Sequence, residues 1–273
     1  MQAGYYSAAS GMVAQFNRLD NIANNLANVN TNGFKEDDLV IGDFTRLYKE
    51  SRDELSNANQ TKEAAKFLNR TLTKAPQVVD AYTDYSLGSM QRTDNTFDFA
   101  LSKEGLFFLV KTPSGIRLTR DGSFTKDDEG NLVTNEGYPV LPNDYFSAGG
   151  KINFNQGDTI VEVDKNGQLY TNLPNSTSQV KNSKFFIANP DNLSSLKKVG
   201  DNLYEYPSVS QLKSLDKSAA IRQGFIEKSN VNAVKMMTQM IETNRLVGMY
   251  QKVMDAQMND MNNDAINKIA STK

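Results

Sequence analysis

The side chains in this sequence that could do chemistry are mainly carboxylates. Asp94, Asp98, Asp121, Asp127 and Asp128 fall in one central stretch. A glycosidase would need two of them a set distance apart across a cleft. No spacing in the sequence places two that way, and Asp127-Asp128-Glu129 leads straight into Gly130, so turn and surface roles fit better. Asp164-Lys165-Asn166-Gly167 starts like a calcium loop, but the acidic ligands due at later positions are absent. Gly149-Gly150 lacks the strand-to-helix setting of a phosphate loop. Phe107-Phe108 and Phe185-Phe186 carry no basic interleaving, so they read as core strands rather than a base-stacking platform.

Composition narrows the chemistry further. The 273 residues include no Cys and no His. That removes disulfides, thiolate nucleophiles, imidazole bases and the usual zinc and iron–sulfur ligand sets. The expectation is a protein that is not an enzyme, with no cofactor, no metal and no small-molecule substrate. Thirty basic residues stand against 32 acidic ones, a net charge of −2. A nucleic-acid partner would call for a basic surface, so none is expected. Mean hydropathy is −0.54. No run approaches the roughly 18 apolar residues of a membrane helix, so no membrane insertion is expected. The first basic residue is Arg18, so the basic start of a secretory signal is missing and any export would proceed without a cleaved Sec signal.

The elements that must position these residues divide the chain unevenly. The expected fold class is α+β: helices at both termini around a central antiparallel all-β domain. The expected boundaries are 1–34 for the N-terminal helix, 35–75 for a connector, 76–228 for the β-rich domain and 229–273 for the C-terminal helix. In the first piece, Tyr5, Ala9, Met12, Phe16, Leu19, Ala23 and Leu26 alternate spacings of four and three. That is the seam of a helix packed on another helix. Asn17, Asn21, Asn24, Asn25 and Asn28 project from the far side. Lys and Glu would be better helix formers on a solvated face. Amides can donate and accept without a charge to desolvate, so this side suits packing as well, although a plain polar face is the alternative. Asn30-Thr31-Asn32-Gly33 then ends the helix.

The last piece opens with Ser229 or Asn230 as its expected N-cap. Met240, Val247, Met254 and Met261 recur every seven residues, flanked by Met237, Met258 and Ala265. Met236, Ile241, Leu246, Tyr250 and Val253 widen the apolar sector well past one stripe. A helix apolar on most of its circumference is buried on several sides. Seven of the ten Met lie between 236 and 261, and Met adapts to irregular contacts. The economical arrangement packs the two terminal helices together and then against other copies; an ordinary intramolecular pair is the alternative. In the middle, β-type runs at 97–101, 106–111, 116–120, 132–134, 138–141, 159–164, 168–171 and 184–188 alternate with Gly turns. The 35–75 stretch reads as a connector, with helical spacing at Phe44, Leu47 and Tyr48 and a short helix from Thr61 to Leu68.

Several motifs together resemble a known family. The run Asn24-Asn25-Leu26-Ala27-Asn28-Val29-Asn30-Thr31-Asn32-Gly33-Phe34-Lys35 is similar to the N-terminal signature of bacterial flagellar rod and hook proteins. Arg222-Gln223-Gly224-Phe225-Ile226-Glu227-Lys228-Ser229-Asn230-Val231-Asn232 resembles the family's approach to its last helix. Met240-Ile241-Glu242-Thr243-Asn244-Arg245 resembles the next motif, within that helix. Between the two ends, 93–101, 118–124, 130–134, 137–141 and 200–204 match in order. Lys103 and Leu106 stand where the family usually carries Gly and Phe. Within the family, Tyr82 to Met90 looks most like proximal rod members, with distal rod members as the alternative. The 265–273 ending and the connector resemble the version in epsilon-type bacteria.

The resemblance implies a structural subunit that transmits torque. It implies passage through the flagellar type III export apparatus, helical polymerisation in the periplasmic rod of the basal body, and terminal helices forming a coiled-coil-like inner tube. The implied partners are copies of itself and other proximal and distal rod proteins. The implied motif positions are Asn30, Thr31, Gly33, Phe34, Lys35, Arg222, Gly224, Ser229, Asn230 and Val231. Two other classes remain as rivals: a secreted glycosidase, and a surface binding module.

Overall fold

The computed structural model describes residues 2–43, 76–154, 160–172, 179–212, 214 and 221–270. The expected helix from Thr61 to Leu68, the spacing of Phe44, Leu47 and Tyr48, and the last three residues lie outside the described residues. The chain is α+β, with a helix at each end and antiparallel strands between. It divides into two compact units.

The first unit takes Met1–Ala27, Asp37–Thr83 and Asn232–Lys273. Helix α1 (Gln2–Ala27) and helix α2 (Ala233–Ala270) run antiparallel. Gly4 lies against Gln257, Gly11 against the Tyr250 ring, and Asn25 against Met236. These positions are seven apart, or a multiple of seven, on each helix. A Cβ on Gly11 would come within 2.5 Å of the Tyr250 ring, so glycine lets the two helices approach. Strands β1 (Asp37–Asp43) and β2 (Pro76–Thr83) pair antiparallel, with a bulge between Val40 and Ile41, and pack on α1. The expected β-rich domain includes residues 76–83; they belong instead with the helices, because β2 pairs with β1 and not with the central strands.

The N-cap of helix α2 lies two or three residues later than expected. Asn232 is the N-cap, its Oδ1 accepting from the Lys235 N–H at 3.1 Å. Ser229 instead accepts from the Val231 N–H, and Asn230 accepts from the Glu36 N–H, so neither amide nor hydroxyl is left for the helix.

The second unit takes Asn28–Glu36 and Asp84–Val231. Its centre is a five-stranded antiparallel sheet of β5 (Phe107–Thr112), β6 (Gly115–Thr119), β12 (Ile187–Ala188), β13 (Lys197–Lys198) and β14 (Leu203–Glu205), in the order β12-β5-β6-β14-β13. Alternation along β5 feeds two cores. Phe108 and Val110 point into one, with Phe99, Phe124 and Phe185; Phe107 and Leu109 point into the other, with Leu118 and Tyr204. Smaller antiparallel groups surround the sheet: β7 (Phe124–Lys126) with β8 (Leu132–Thr134), and β10 (Gln168–Asn172) between β9 (Ile160–Val163) and β11 (Gln179–Lys184). The expected strand at 138–141 makes only the isolated bridges Val133–Pro139 and Val110–Val140.

Two short pairs close this unit. Strand β4 (Phe99–Leu101) pairs with β15 (Ile221–Gln223), and β3 (Met90–Arg92) with β16 (Phe225–Glu227). Residues 28–34, expected with the N-terminal helix, belong here, because Gly33 donates to the Glu227 carbonyl and Phe34 is buried.

Candidate assembly site

Helix α1 presents three faces, and each is used differently. Ala8, Gly11, Gln15 and Ile22 are buried toward α2, on the side where Gly4 and Gly11 meet its residues. A second face carries Ser10, Asn21 and Asn25 and meets the β1–β2 pair. Ser10 Oγ donates to the Pro76 carbonyl at 2.7 Å. Asn25 grips the start of β1 at two points: its Nδ2 donates to the Asp37 carbonyl at 2.6 Å, and its Oδ1 accepts from the Asp37 N–H at 3.0 Å. Asn25 is 1% exposed. The amides of this helix therefore include one that satisfies backbone groups a charged side chain could not.

The third face is the alternating seam read from the sequence. It lies roughly a quarter-turn from the α2-facing side. Tyr5, Ala9, Met12, Leu19 and Leu26 are half-buried, while Phe16 and Ala23 are exposed. Asn24 is exposed and Asn28 is half-buried, accepting from the Thr31 hydroxyl. The neighbouring stripe of Gly4, Ala8 and Gly11 makes the contact with α2, because its small side chains allow close approach.

Helix α2 divides in the same way. Met236, Thr243 and Val247 are buried, and Met240, Tyr250, Met254 and Met261 half-buried. Met237, Ile241 and Met258 are exposed. Val234, Met237, Ile241 and Ile266 fall roughly opposite the α1-facing side, and all four are exposed.

The motif residues of the second unit gather around one buried ion triad. Lys35 Nζ lies 2.6 Å from Glu227 Oε1, and Arg120 Nε 2.5 Å from Glu227 Oε2. All three side chains are 1% exposed. Glu227 Oε1 also accepts from the Gly88 N–H. Lys35 donates to the Ser86 carbonyl, and Arg120 to the carbonyls of Leu101, Lys103 and Leu106. Two buried cations face one buried carboxylate. Burial lowers the pKa of both Lys35 and Arg120, and Glu227 opposes that shift in each case.

The other motif positions tie backbone to backbone. Gly33 (φ 68°) sits so close to Arg120 and Asp121 that a Cβ would fall 2.6 Å from the Arg120 carbonyl carbon. Asn230 Nδ2 donates to the Asp84 carbonyl, and Gly224 accepts from the N–H groups of Thr93 and Asp94. Phe34, Ser229 and Val231 are buried, Thr31 is half-buried, and Asn30 and Arg222 are exposed. Arg120, Glu227, Gly4 and Gly11 do not stand out in the sequence as site residues. A Glu inside the apolar run Phe225-Ile226-Glu227, and two glycines seven apart in a helix where each costs about 1 kcal/mol, are the available signals.

The carboxylates considered for catalysis make local contacts. Asp94 pairs with Arg92, Asp98 accepts from Asn95, Asp121 from the Ser123 N–H and Asp127 from Asn131; Asp164, in the calcium-like run, accepts from the N–H groups of Asn166 and Gln168.

Three family models match in chain order. The flagella basal body rod protein model covers residues 6–35. The flagellar hook protein FlgE/F/G D1 domain covers 103–171, and the flagellar basal body rod FlgEFG protein C-terminal model covers 222–268. The chain is 32% identical over 248 residues to the flagellar basal-body rod protein FlgG of Buchnera aphidicola from Schizaphis graminum, covering 86% of this chain and 88% of the relative. It is 32% identical over 255 residues to FlgF of Caulobacter vibrioides, covering 93% of each. The chain belongs to the flagellar basal-body rod protein family. Membership makes it a structural protein of the flagellar basal body. Relatives named FlgG and FlgF match at equal identity.

One titratable group of this rod protein gives a pH test. Burial pushes the Asp121 carboxyl up to about 6 from an ordinary 3.8, with Glu136 and Asp98 adding to the rise and the Ser123 N–H and Lys228 opposing it. Between those values the folded chain holds a proton that the unfolded chain has released. Stability therefore falls as pH rises through that window. Asp121→Asn keeps an acceptor for the Ser123 N–H and removes the charge. The variant is expected to be about 1–3 kcal/mol more stable at neutral pH, with a flatter profile below it. Urea unfolding between about pH 4 and 7 checks this; parallel profiles for the two proteins would assign the slope to other groups.

Proposed function

We propose that this chain is a structural subunit of the flagellar rod that polymerises helically through its terminal helices and transmits motor torque toward the hook. The observation that carries the reading is the α1 seam. In the apolar row Tyr5, Ala9, Met12, Phe16, Leu19, Ala23 and Leu26, Phe16 and Ala23 are exposed and the other five half-buried, which leaves surface for a further neighbour. The exposed Met237, Ile241 and Met258 extend the same character to α2. A face repeated identically on every copy and complementary to a different face gives a head-to-tail contact that does not close, and so a filament. In that assembly the helices pack coiled-coil-like as the inner tube of the rod. The more buried α2 positions, Met240, Val247, Tyr250, Met254 and Met261, hold each subunit's own helix pair together.

The partners are further copies and other proximal and distal rod proteins. The route is the type III export apparatus into the periplasm. The resemblance of Tyr82–Met90 to proximal members favours the proximal rod. Imaging intact basal bodies carrying a labelled chain tests the assignment. Label in the motor-side half of the rod is expected; label only at the hook end would make this a distal subunit, and absence from the rod would overturn the proposal.

A further inference from the structure

The apolar faces of α2 carry the chain's most oxidisable groups. With no Cys and no Trp, the sulfur chemistry of this protein is that of its ten methionines. Seven of them lie between 236 and 261, on one helix. The structure sorts these by access. Met237, Met249 and Met258 are 48%, 56% and 49% exposed, whereas Met236 is 1% exposed, beneath the Asn25 amide.

We propose that Met237, Met249 and Met258 are sites of reversible oxidation by peroxide-class oxidants in the unassembled chain, and that their sulfoxides block assembly. The proposal rests on the reading of this chain as a polymerising rod subunit. The step balances simply: the thioether sulfur attacks one peroxide oxygen, the O–O bond breaks, and sulfoxide and water result. Methionine sulfoxide reductases reverse it. The product is polar and chiral where the thioether was apolar and adaptable. Met237 stands with Ile241 in the exposed stripe of α2, and Met249 beside Val253, so each sulfoxide would sit among apolar neighbours once a second copy covered them. The sulfoxide oxygen would then be buried without a donor, a cost that falls on assembly and not on the folded subunit.

The test has two parts. Purified full-length chain is treated with dilute hydrogen peroxide and its peptides are followed by mass spectrometry. Met237, Met249 and Met258 are expected to gain oxygen several-fold faster than Met236, and equal rates would overturn the site assignment. A strain is then built whose only copy carries M237Q, M249Q and M258Q together, as fixed polar stand-ins. This Gln strain is expected to lose swimming, with the purified variant unfolding as the parent does. A Gln strain that swims like the parent would overturn the proposal. A deletion strain that still swims would instead overturn the rod reading itself.

Discussion

Glu227→Gln is expected to destabilise the folded chain by about 3–5 kcal/mol, although it changes one atom of the side chain. The substitution leaves Lys35 and Arg120 buried with no carboxylate between them. Lys35→Met makes a cleaner comparison. It removes the cation in excess and leaves Arg120 and Glu227 as a neutral pair, so its cost is expected to stay near 1–2 kcal/mol, mainly for the Ser86 carbonyl that loses its donor. Equilibrium urea unfolding of the three proteins decides. If Lys35→Met costs as much as Glu227→Gln, shape and not charge balance holds this site together. The pH dependence supplies a second reading. Burial sets the folded pKa of Lys35 below 10.5, so the unfolded chain binds more protons just under that value and stability rises with pH there. Without Glu227 that rise should begin at a lower pH, because the carboxylate is what favours the charged amine.

Phe16→Asp and Ile241→Asp are each expected to abolish swimming while leaving the subunit folded. Phe16 is 45% exposed and Ile241 62% exposed, so neither substitution buries a charge within the chain. Their unfolding free energies should stay within about 0.5 kcal/mol of the parent. In an assembled rod the same carboxylates would be desolvated in every subunit against apolar partners, a cost of several kcal/mol repeated along the filament. Met236→Asp is the contrast: at 1% exposure it should unfold the first unit outright. Swimming cells carrying either surface variant, with the variant present in their basal bodies, would remove the seam and the α2 stripe from the assembly contact.

Much of the fold is legible in the sequence because period and punctuation are local. The α1 range, the long glycine-poor run of α2 and the strands at β5, β6, β8 and β10 follow from hydrophobic spacing between turn residues. The start of α2 is not legible in the same way. Asn230 and Ser229 are good caps by type, yet their side chains are taken by the backbone of Glu36, far away in sequence, and of Val231, just ahead. The domain edges differ for the same reason. Nothing local in Pro76–Thr83 says that its partner is β1, or in Asn28–Glu36 that Glu227 and Arg120 will enclose Lys35.

The α1 seam marks the limit of pattern. The alternating spacing of Tyr5 through Leu26 identifies a face that packs on something. It cannot say on what, and the structure gives the contact with α2 to the adjoining stripe of Gly4, Ala8 and Gly11, whose small side chains carry little hydropathy signal. Backbone proximity, not hydrophobicity, selects that stripe.

The sequence by itself determined that imidazole and thiol chemistry are impossible, that both ends are helical with more apolar surface than one neighbour can cover, and that the middle is antiparallel β. Composition and periodicity are properties of each segment alone. Only the tertiary structure decided which stripe of α1 meets α2, and that Lys35, Arg120 and Glu227, spread over nearly two hundred positions, form one buried ion triad. Those depend on which distant segments meet, and charge pairing and close backbone approach are settled by that meeting, not by any local run of residues.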